Sequence, residues 1–294
     1  MSAPTLLIAD DWRDYRLRDS GDGKTWEQVG PYRFIRPEPQ ALWSPLRTDW
    51  RADAIFSGAG EDEESGRWRF DRPLPEQWPL QWSGLQFLSR PTPFRHLAFF
   101  PEHSVHWRFA IAHLAALKRT HAQPSVLNLF GYTGLASLAS ARAGAAVTHV
   151  DASKKAIGMA RDNQMAAGLD AAPIRWIADD ALTFVKREIK RGRRYHGIFL
   201  DPPKFGRGPN GETWRLEEGL KTLLDACAAI LEPDGFLIAT VYAVRLSHLA
   251  LLQTAQQALP AAGAWEAGDM AIAHAEDERL LPTAIYARWR GVSG

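Results

Sequence analysis

The chain has 294 residues, of which 46% are hydrophobic and 23% are charged, and its formal net charge is +1. This balance is typical of a globular protein with one large domain or two smaller ones, and it gives no whole-protein attraction to nucleic acid or to membranes. The single cysteine, Cys227, excludes an intramolecular disulfide framework and cysteine-based zinc clusters. No apolar run approaches the roughly 18 residues of a membrane span, and the N-terminus lacks the pattern of a secretory signal. We therefore expect a cytoplasmic protein.

Residues 1–100 are rich in tryptophan and proline and lack sustained helical periodicity. The stretches 26–29, 32–35 and 66–70 resemble short strands separated by glycine and proline. We predict a small β-rich domain here, with a possible role in substrate recognition, and an exposed acidic loop at 61–64. The tryptophans of this region, more often core residues than base-stacking platforms, are Trp12, Trp26, Trp43, Trp50, Trp68, Trp78 and Trp82.

From residue 101 to residue 294, strands and helices alternate, which predicts one α/β domain with a parallel sheet. The predicted helices are 104–118 (with Ser104 as N-cap), 135–142, 154–167, 181–190, 214–231 and 247–259. The predicted strands are 126–130, 146–150, 174–177, 197–200, 236–241, 265–273 and 284–290. No helix separates the last two strands, so we expect a terminal antiparallel pair, which departs from a plain dinucleotide-binding fold.

The first predicted strand runs into the sequence Asn-Leu-Phe-Gly-Tyr-Thr-Gly at 128–134. In an open parallel sheet, ligands bind outside the carboxyl ends of the strands. Gly131 and Gly134 allow a sharp turn and close approach of the backbone to a ligand. Their spacing differs from G-x-G-x-x-G, and the lysine of a P-loop is absent. The segment is either a ligand-binding loop or an ordinary turn between a strand and a helix.

Acidic residues follow the second and third predicted strands. Asp151 ends the second strand, where a carboxylate can accept hydrogen bonds from both hydroxyls of a ribose. Asp179, Asp180 and Ala181 follow the third strand, and a carboxylate there can accept from an adenine amino group. The alternative for Asp180 is a helix N-cap.

The fourth strand ends in Asp201-Pro202-Pro203-Lys204-Phe205, the most specific pattern in the chain. The two prolines fix φ and lack N–H donors, so we expect their carbonyls to be held outward as acceptors beside the Asp201 carboxylate. Phe205 can stack on a planar base. The alternative is a double proline that only ends the strand.

Together these motifs resemble those of class I S-adenosylmethionine-dependent methyltransferases, over residues 100–294. Within that superfamily they are most similar to the bacterial 23S ribosomal RNA methyltransferases with an N-F-x-Y-T-G-like first motif and a D-P-P-K-F motif. The resemblance implies a doubly wound, seven-stranded, mostly parallel sheet with a terminal antiparallel hairpin, S-adenosylmethionine (SAM) as cofactor and RNA as substrate.

The resemblance also implies roles for individual residues. The loop 130–134 would hold the methionine portion of SAM, Asp151 the ribose, and Asp180 with Ala181 the adenine. The full set of implied cofactor contacts is His103, Trp107, Arg108, Asn128, Phe130, Gly131, Tyr132, Thr133, Gly134, Asp151, Ala152, Ser153, Asn163, Asp180, Ala181 and Asp201. The implied catalytic residues, which would face the methyl acceptor, are Asp201, Pro202, Pro203 and Lys204.

The sequence departs from these relatives in the stretch 240–244 after the fifth strand, which has no cysteine. Methylation of cytosine at C5 needs a cysteine thiolate that adds to the base, and Cys227 falls within a predicted helix, where a buried thiol is expected. We therefore expect direct methyl transfer to a nitrogen or oxygen nucleophile. The RNA-binding module of the relatives is also not recognisable, and residues 1–100 take its place.

Two other functions share parts of this pattern. An NAD(P)-dependent dehydrogenase would have the same sheet and an acidic residue after the second strand. A non-catalytic RNA-binding relative would keep the fold, and the basic run 186–194 could contact phosphate or be a solvated helix end. The spacing of His103, His106 and His113 does not predict a metal site. We expect neither a metal nor a membrane partner.

Overall fold

The computed structural model describes residues 3–58, 66–209, 211–242 and 246–291. The predicted acidic loop at 61–64, and residues 243 and 244 after the fifth predicted strand, lie outside this part of the chain. The structure divides into two compact units. Unit 1 comprises Met1–Leu7, Val105–Met270 and Ala284–Gly294, and unit 2 comprises Ile8–Ser104 and Ala271–Thr283. The chain enters each unit more than once, so the division differs from a single cut near residue 100.

The elements are numbered in chain order. The strands are β1 (Leu7–Ala9), β2 (Tyr15–Gly21), β3 (Lys24–Val29), β4 (Tyr32–Pro37), β5 (Ala54–Gly58), β6 (Gly66–Phe70), β7 (Trp78–Trp82), β8 (Leu85–Ser89), β9 (Ser125–Leu129), β10 (Ala146–Asp151), β11 (Ile174–Ala178), β12 (Tyr195–Leu200), β13 (Phe205–Arg207), β14 (Thr213–Arg215), β15 (Leu231–Val241), β16 (Ala264–Ala273) and β17 (Leu280–Arg290). The helices are α1 (Ser104–Leu117), α2 (Leu135–Arg142), α3 (Lys154–Ala166), α4 (Ala181–Lys190), α5 (Leu216–Ala229) and α6 (His248–Ala258).

The main sheet has eight strands in the order β1-β16-β17-β15-β12-β9-β10-β11. Strands β15, β12, β9, β10 and β11 pair in parallel, and β17 runs antiparallel to β15. This confirms the predicted α/β fold with a mostly parallel sheet and a reversed last strand. The short edge strand β1 adds one strand to the seven that were predicted.

Helices cover both faces of the parallel strands, as the βαβ alternation requires. On β9, Val126 belongs to the same apolar cluster as Leu114 of α1. The next residue, Leu127, points to the opposite face and joins a second cluster with Phe184 of α4 and Leu223 of α5. Because the central strands are buried on both sides, only their ends are available for a ligand site.

Unit 2 is built from β-strands, as predicted for residues 1–100. Its five-stranded sheet has the order β2-β3-β4-β5-β6, and β7 pairs with β8 in a separate hairpin. Trp26, Trp78 and Trp82 are at most 4% exposed, in agreement with the expectation that tryptophans form the core of this region. No described helix is long and apolar enough to cross a bilayer.

Three local predictions were wrong. Ser104 does not cap α1 but is its first residue, after a 3-10 turn at Pro101–His103, and its hydroxyl donates to Oδ1 of Asp11 (2.8 Å). The helix predicted from residue 214 begins at Leu216, because Trp214 belongs to β14. The fifth predicted strand begins at Leu231 rather than at residue 236.

Candidate active site

Strand register brings three of the predicted motifs together at the carboxyl edge of the sheet. Leu129 of β9 pairs with Val150 of β10 on one side and with Leu200 of β12 on the other. One residue further along the chain, Phe130 follows β9, Asp151 is the last residue of β10, and Asp201 follows β12. These three residues therefore leave the sheet side by side.

The loop 130–134, called here the cofactor loop after its predicted role, has a strained backbone. Phe130 and Tyr132 have φ values of 55° and 49°, in the left-handed region that non-glycine residues rarely adopt. Each such residue costs roughly 1–2 kcal/mol, and strain of this kind concentrates at functional sites. The amide of Gly131 donates to Val150 O (3.1 Å), which ties the loop back to β10.

Both glycines of this loop are required by geometry. A Cβ on Gly131 would lie 2.4 Å from Cε1 of His149, well inside van der Waals contact. Gly134 has a φ of 84°, and a Cβ there would lie 3.0 Å from the Cβ of Ala160. The loop therefore lies directly on β10 and α3.

A buried polar network lies between the cofactor loop and the strands β9 and β10. The Asn128 amide donates to Oγ of Ser137 (2.9 Å), and the Ser137 hydroxyl shares a hydrogen bond with Nδ1 of His149 (3.0 Å). Burial lowers the pKa of His149 to about 3, which keeps the imidazole neutral.

Two predicted cofactor contacts lie underneath the loop. Asn128 is 4% exposed and is engaged with Ser137. Asn163 is 1% exposed, and its amide donates to Thr133 O (2.9 Å). The sequence indicated contacts with a ligand at both positions, whereas the structure places both amides against protein atoms that shape the loop.

Asp151 is held by two main-chain donors. Tyr132 N–H donates to Oδ2 and Ser153 N–H donates to Oδ1, each over 2.8 Å. Burial raises the pKa of Asp151, and the two hydrogen bonds partly oppose this rise. Each carboxylate oxygen keeps acceptor capacity, because an ionised oxygen can accept more than one hydrogen bond. Ser153 itself caps α3 through its side chain.

Asp180 is a helix cap, which was the alternative weighed from the sequence. Its Oδ1 accepts from Thr183 N (2.8 Å) at the start of α4. The neighbouring Asp179 is 6% exposed and forms an ion pair with Arg187. Ala181, the first residue of α4, is buried beside this cap.

The segment 201–205, called here the acceptor turn after its predicted role, follows β12. The indole N–H of Trp214 donates to Pro203 O over 2.7 Å, so this one of the two predicted acceptors is already engaged within the protein. Within the described part of the chain, the carbonyl of Pro202 receives no hydrogen bond. Pro203 and Lys204 are exposed, whereas Pro202 is buried and Asp201 is half-buried.

A small hairpin that the sequence analysis missed continues from this turn. Phe205 of β13 pairs with Arg215 of β14. The Phe205 ring is 48% exposed, and the Arg215 guanidinium carbon lies 5.9 Å from its centre. Each strand of the hairpin is three residues long, so neither shows an alternating pattern.

The segment before β9 lies apart from these motifs in sequence, and its predicted contacts fall in both units. His103 belongs to unit 2, whereas Trp107 and Arg108 belong to unit 1. Trp107 is 3% exposed, and Arg108 is exposed. His106 accepts through Nδ1 from Nε of the buried Arg288 (3.0 Å).

The histidines considered for a metal do not converge. Among the described residues, the group close enough to hold an ion is His121, His196 and Asp234 instead. Nδ1 of His196 accepts from Ser125 N (3.1 Å), so its Nε2 carries the proton in the neutral ring and cannot ligate. This group is not arranged as a metal site.

Three of the six basic residues in the run 186–194 form ion pairs. Arg187 forms an ion pair with Asp179, Arg191 with Glu188 (2.8 Å) and Arg194 with Glu232 (3.0 Å). This favours a solvated helix end over a phosphate contact.

Solved structures identify the family. The crystal structure of the SAM-dependent methyltransferase from Agrobacterium tumefaciens is 46% identical to this chain, with a TM-score of 0.92. The match covers 99% of this chain and 95% of that one. The chain belongs to the SAM-dependent methyltransferases. A further methyltransferase structure, from Streptococcus mutans, shares the fold at 16% identity and a TM-score of 0.72, over 95% of this chain and 76% of that one.

Curated relatives match a shorter part of the methyltransferase. Ribosomal RNA large subunit methyltransferase K/L of Shewanella frigidimarina is 36% identical over 116 residues, which are 39% of this chain and 16% of the relative. Ribosomal RNA large subunit methyltransferase I of Shewanella denitrificans is 36% identical over 118 residues, 39% of this chain and 29% of the relative. The chain thus spans less than a third of the curated relatives that it matches. No protein-family model matches the sequence.

The methyltransferase buries its one cysteine. Cys227 lies in α5 with 0% exposure, and burial raises the pKa of its thiol. In the described part of the stretch after the fifth predicted strand, Thr240 and Val241 are buried in β15. Cys227 is therefore a structural residue without thiolate character, as its position in a helix predicted.

Proposed function

We propose that this SAM-dependent methyltransferase methylates a nitrogen atom of RNA, with ribosomal RNA as the substrate class. The observation that carries the proposal is the shared register of Leu129, Val150 and Leu200, since it sets Asp201 beside the cofactor loop. The names of the curated relatives support RNA as the substrate. Such a substrate implies a cytoplasmic enzyme. The family membership disfavours the dehydrogenase alternative.

The chain's residues fit SAM at this edge. The Asp151 carboxylate, already fixed by two N–H donors, has acceptor capacity left for the two ribose hydroxyls. Gly131 and Gly134 let the cofactor loop lie directly on β10 and α3, which supports a fixed loop backbone beside the methionine portion. Asp180 and Ala181 follow the adjoining strand β11 at the start of α4, which supports a role for them in holding the adenine.

The acceptor turn has the hydrogen-bond acceptors that an amino group requires. Asp201 and the carbonyl of Pro202 can each accept one N–H from an sp² amino nitrogen, which directs the nitrogen lone pair away from both. Bound SAM would supply an activated methyl group, with the neutral thioether of S-adenosylhomocysteine as the leaving group. The methylated nitrogen would then release one proton to water, so that the transfer needs no strong general base. The protein therefore contributes mainly by positioning the two reactants.

Phe205 gives the turn a recognition element for a planar base. Its ring is about half exposed on the hairpin that follows Asp201. Stacking on an aromatic ring contributes roughly 1–3 kcal/mol per base and is insensitive to sequence. Arg215 and Arg207 on the same hairpin add positive charge for phosphate. The hairpin thus favours a nucleic acid over an uncharged substrate.

A labelling experiment tests the proposal. Wild-type enzyme is incubated with SAM labelled in the methyl group and with bacterial RNA, protein or small-molecule fractions, and labelled RNA is digested to nucleosides for mass spectrometry. We expect label in ribosomal RNA, on a base nitrogen. Label confined to protein or small molecules, or on cytosine C5, contradicts the proposal, and no transfer at all favours a non-catalytic relative.

Asp201→Ala tests the site. Its turnover is expected to fall at least 100-fold, while its affinity for S-adenosylhomocysteine (SAH) stays within threefold of wild type. Asp170→Ala, at an exposed position after α3, is the matched control. A normal rate for Asp201→Ala removes Asp201 from the reaction.

A further inference from the structure

One side chain of unit 1 contacts both halves of the candidate site. Trp214 donates its indole N–H to Pro203 O of the acceptor turn (2.7 Å). On its other side, the centre of its ring system lies 5.2 Å from the centre of the Phe130 ring in the cofactor loop. Trp214 is 7% exposed, so both contacts are shielded from water.

The position of this indole is fixed by its surroundings. Trp214 pairs with Gly206 in the β13–β14 hairpin. Gly219 lies in the first turn of α5, and a Cβ on this residue would lie 2.6 Å from Cζ3 of Trp214. The helix therefore leaves room for the indole ring only because residue 219 is glycine. The amide of Leu216 donates to Lys204 O (3.0 Å), which closes the hairpin against the acceptor turn.

These contacts affect the two sides differently. On the acceptor side, the indole N–H engages Pro203 O and holds the turn, so that Pro202 O is the carbonyl left for the methyl acceptor. On the cofactor side, the ring packs against Phe130, whose φ of 55° is strained and needs support from its neighbours.

We propose that Trp214 is a positioning residue of the methyl transfer. Its N–H sets the acceptor turn, and its ring holds the cofactor loop in the conformation that binds SAM. Its role at the acceptor turn, called here the acceptor half of the proposal, rests on the proposed function. Its role at the cofactor loop, called here the cofactor half, requires only that the enzyme binds SAM.

Two substitutions separate these halves. Trp214→Phe keeps an aromatic ring against Phe130 but removes the N–H donor. We expect kcat to fall at least tenfold, with the Kd for SAH and the KM for SAM within twofold of wild type. Trp214→Leu removes the ring as well, and we expect the Kd for SAH to rise at least fivefold in isothermal titration.

Tyr195→Phe is the matched control for a lost hydrogen bond. Tyr195 starts β12, the strand that ends at the acceptor turn, and its hydroxyl donates to Glu188 over 2.6 Å. This variant also loses one buried donor, but at the far end of the strand. We expect it to lower the Tm about as much as Trp214→Phe while keeping kcat within twofold of wild type.

Gly219→Ala displaces the indole without changing it. The added methyl group requires the ring to move, so kcat is expected to fall as in Trp214→Phe, although alanine favours the helix. A wild-type kcat in both Trp214→Phe and Gly219→Ala overturns the acceptor half. An unchanged Kd for SAH in folded Trp214→Leu overturns the cofactor half.

The labelling experiment distinguishes failure of the proposed function from failure of the positioning role of Trp214. If wild-type enzyme labels a fraction other than RNA, the RNA proposal fails, and the kcat comparison is made with that fraction. If it labels none, the proposed function and the acceptor half both fail. The SAH titrations still decide the cofactor half.

Discussion

Tyr132 donates its main-chain N–H to Oδ2 of Asp151 over 2.8 Å, although the two residues are 19 positions apart. The same carboxylate that is proposed to bind ribose therefore also fixes the cofactor loop. We expect Asp151→Ala to lose both functions, so that the Kd for SAH rises at least tenfold, equivalent to about 1.4 kcal/mol. Isothermal titration measures this change, with Asp170→Ala as the control. A wild-type Kd contradicts the assignment of Asp151.

Gly131→Ala tests the close approach of the cofactor loop to β10. The added Cβ would lie 2.4 Å from the His149 ring, so we expect a loss of about 1–3 kcal/mol in the free energy of unfolding. In a His149→Ala background the ring is gone and the nearest remaining contact is Asn128 Nδ2 at 2.9 Å, so the same substitution is expected to cost less than in wild type. Urea denaturation of wild type, Gly131→Ala, His149→Ala and the double variant gives the coupling free energy between the two substitutions. Equal costs in the two backgrounds show that His149 is not the obstruction.

Acid sensitivity follows from the neutral imidazole of His149. Its pKa in the folded protein is about 3, below its ordinary value of 6.5, so between these values the unfolded chain binds a proton that the folded protein does not. Stability from this group is therefore complete above pH 6.5 and is lost as the pH falls toward 3. Asp151, whose pKa is raised, acts in the opposite direction, with stability lost as the pH rises.

His149→Gln isolates this effect. Between pH 7.5 and pH 5, we expect the variant to lose about 2 kcal/mol less of its free energy of unfolding than wild type, from one proton over about 1.5 pH units. Identical pH profiles for His149→Gln and wild type contradict a neutral, buried His149.

Cys227→Ala tests the exclusion of C5-cytosine chemistry. The thiol is fully buried in α5, and burial raises its pKa, so it cannot act as a nucleophile. We expect methyl transfer within twofold of wild type and a loss of roughly 1 kcal/mol in stability from the small cavity. A rate assay and thermal unfolding measure the two quantities. Loss of turnover in a folded variant would return C5-cytosine methylation to consideration.

Sequence patterns predicted the parts of the fold that depend on local periodicity. The alternation of apolar strands with amphipathic helices located the parallel sheet, and the residues after its strands marked the edge where Asp151 and Asp201 lie. The reversed β17 was predicted because no helical pattern lies between the last two strands.

Features that depend on contacts distant in sequence were missed. The strands β13 and β14 are too short to show a period, and Trp214 was read as the start of a helix because its partners, Gly206 and Pro203, could not be known. The amides of Asn128 and Asn163 look like ligand-binding groups in a motif, and only the folded chain shows that they hold the loop. The edge strand β1 has three residues and gives no signal.

The interleaved division of the chain bears on how the enzyme can be dissected. A fragment cut at residue 101 would lack Thr5, which donates to Ala267 O (3.0 Å) and accepts from the Tyr286 hydroxyl (3.2 Å). It would also leave Arg279 without Asp19, to which it donates over 2.7 Å. Limited proteolysis and deletion studies on this protein should therefore not treat its amino-terminal third as a detachable appendage, since each unit is completed by chain from both sides of any single cut.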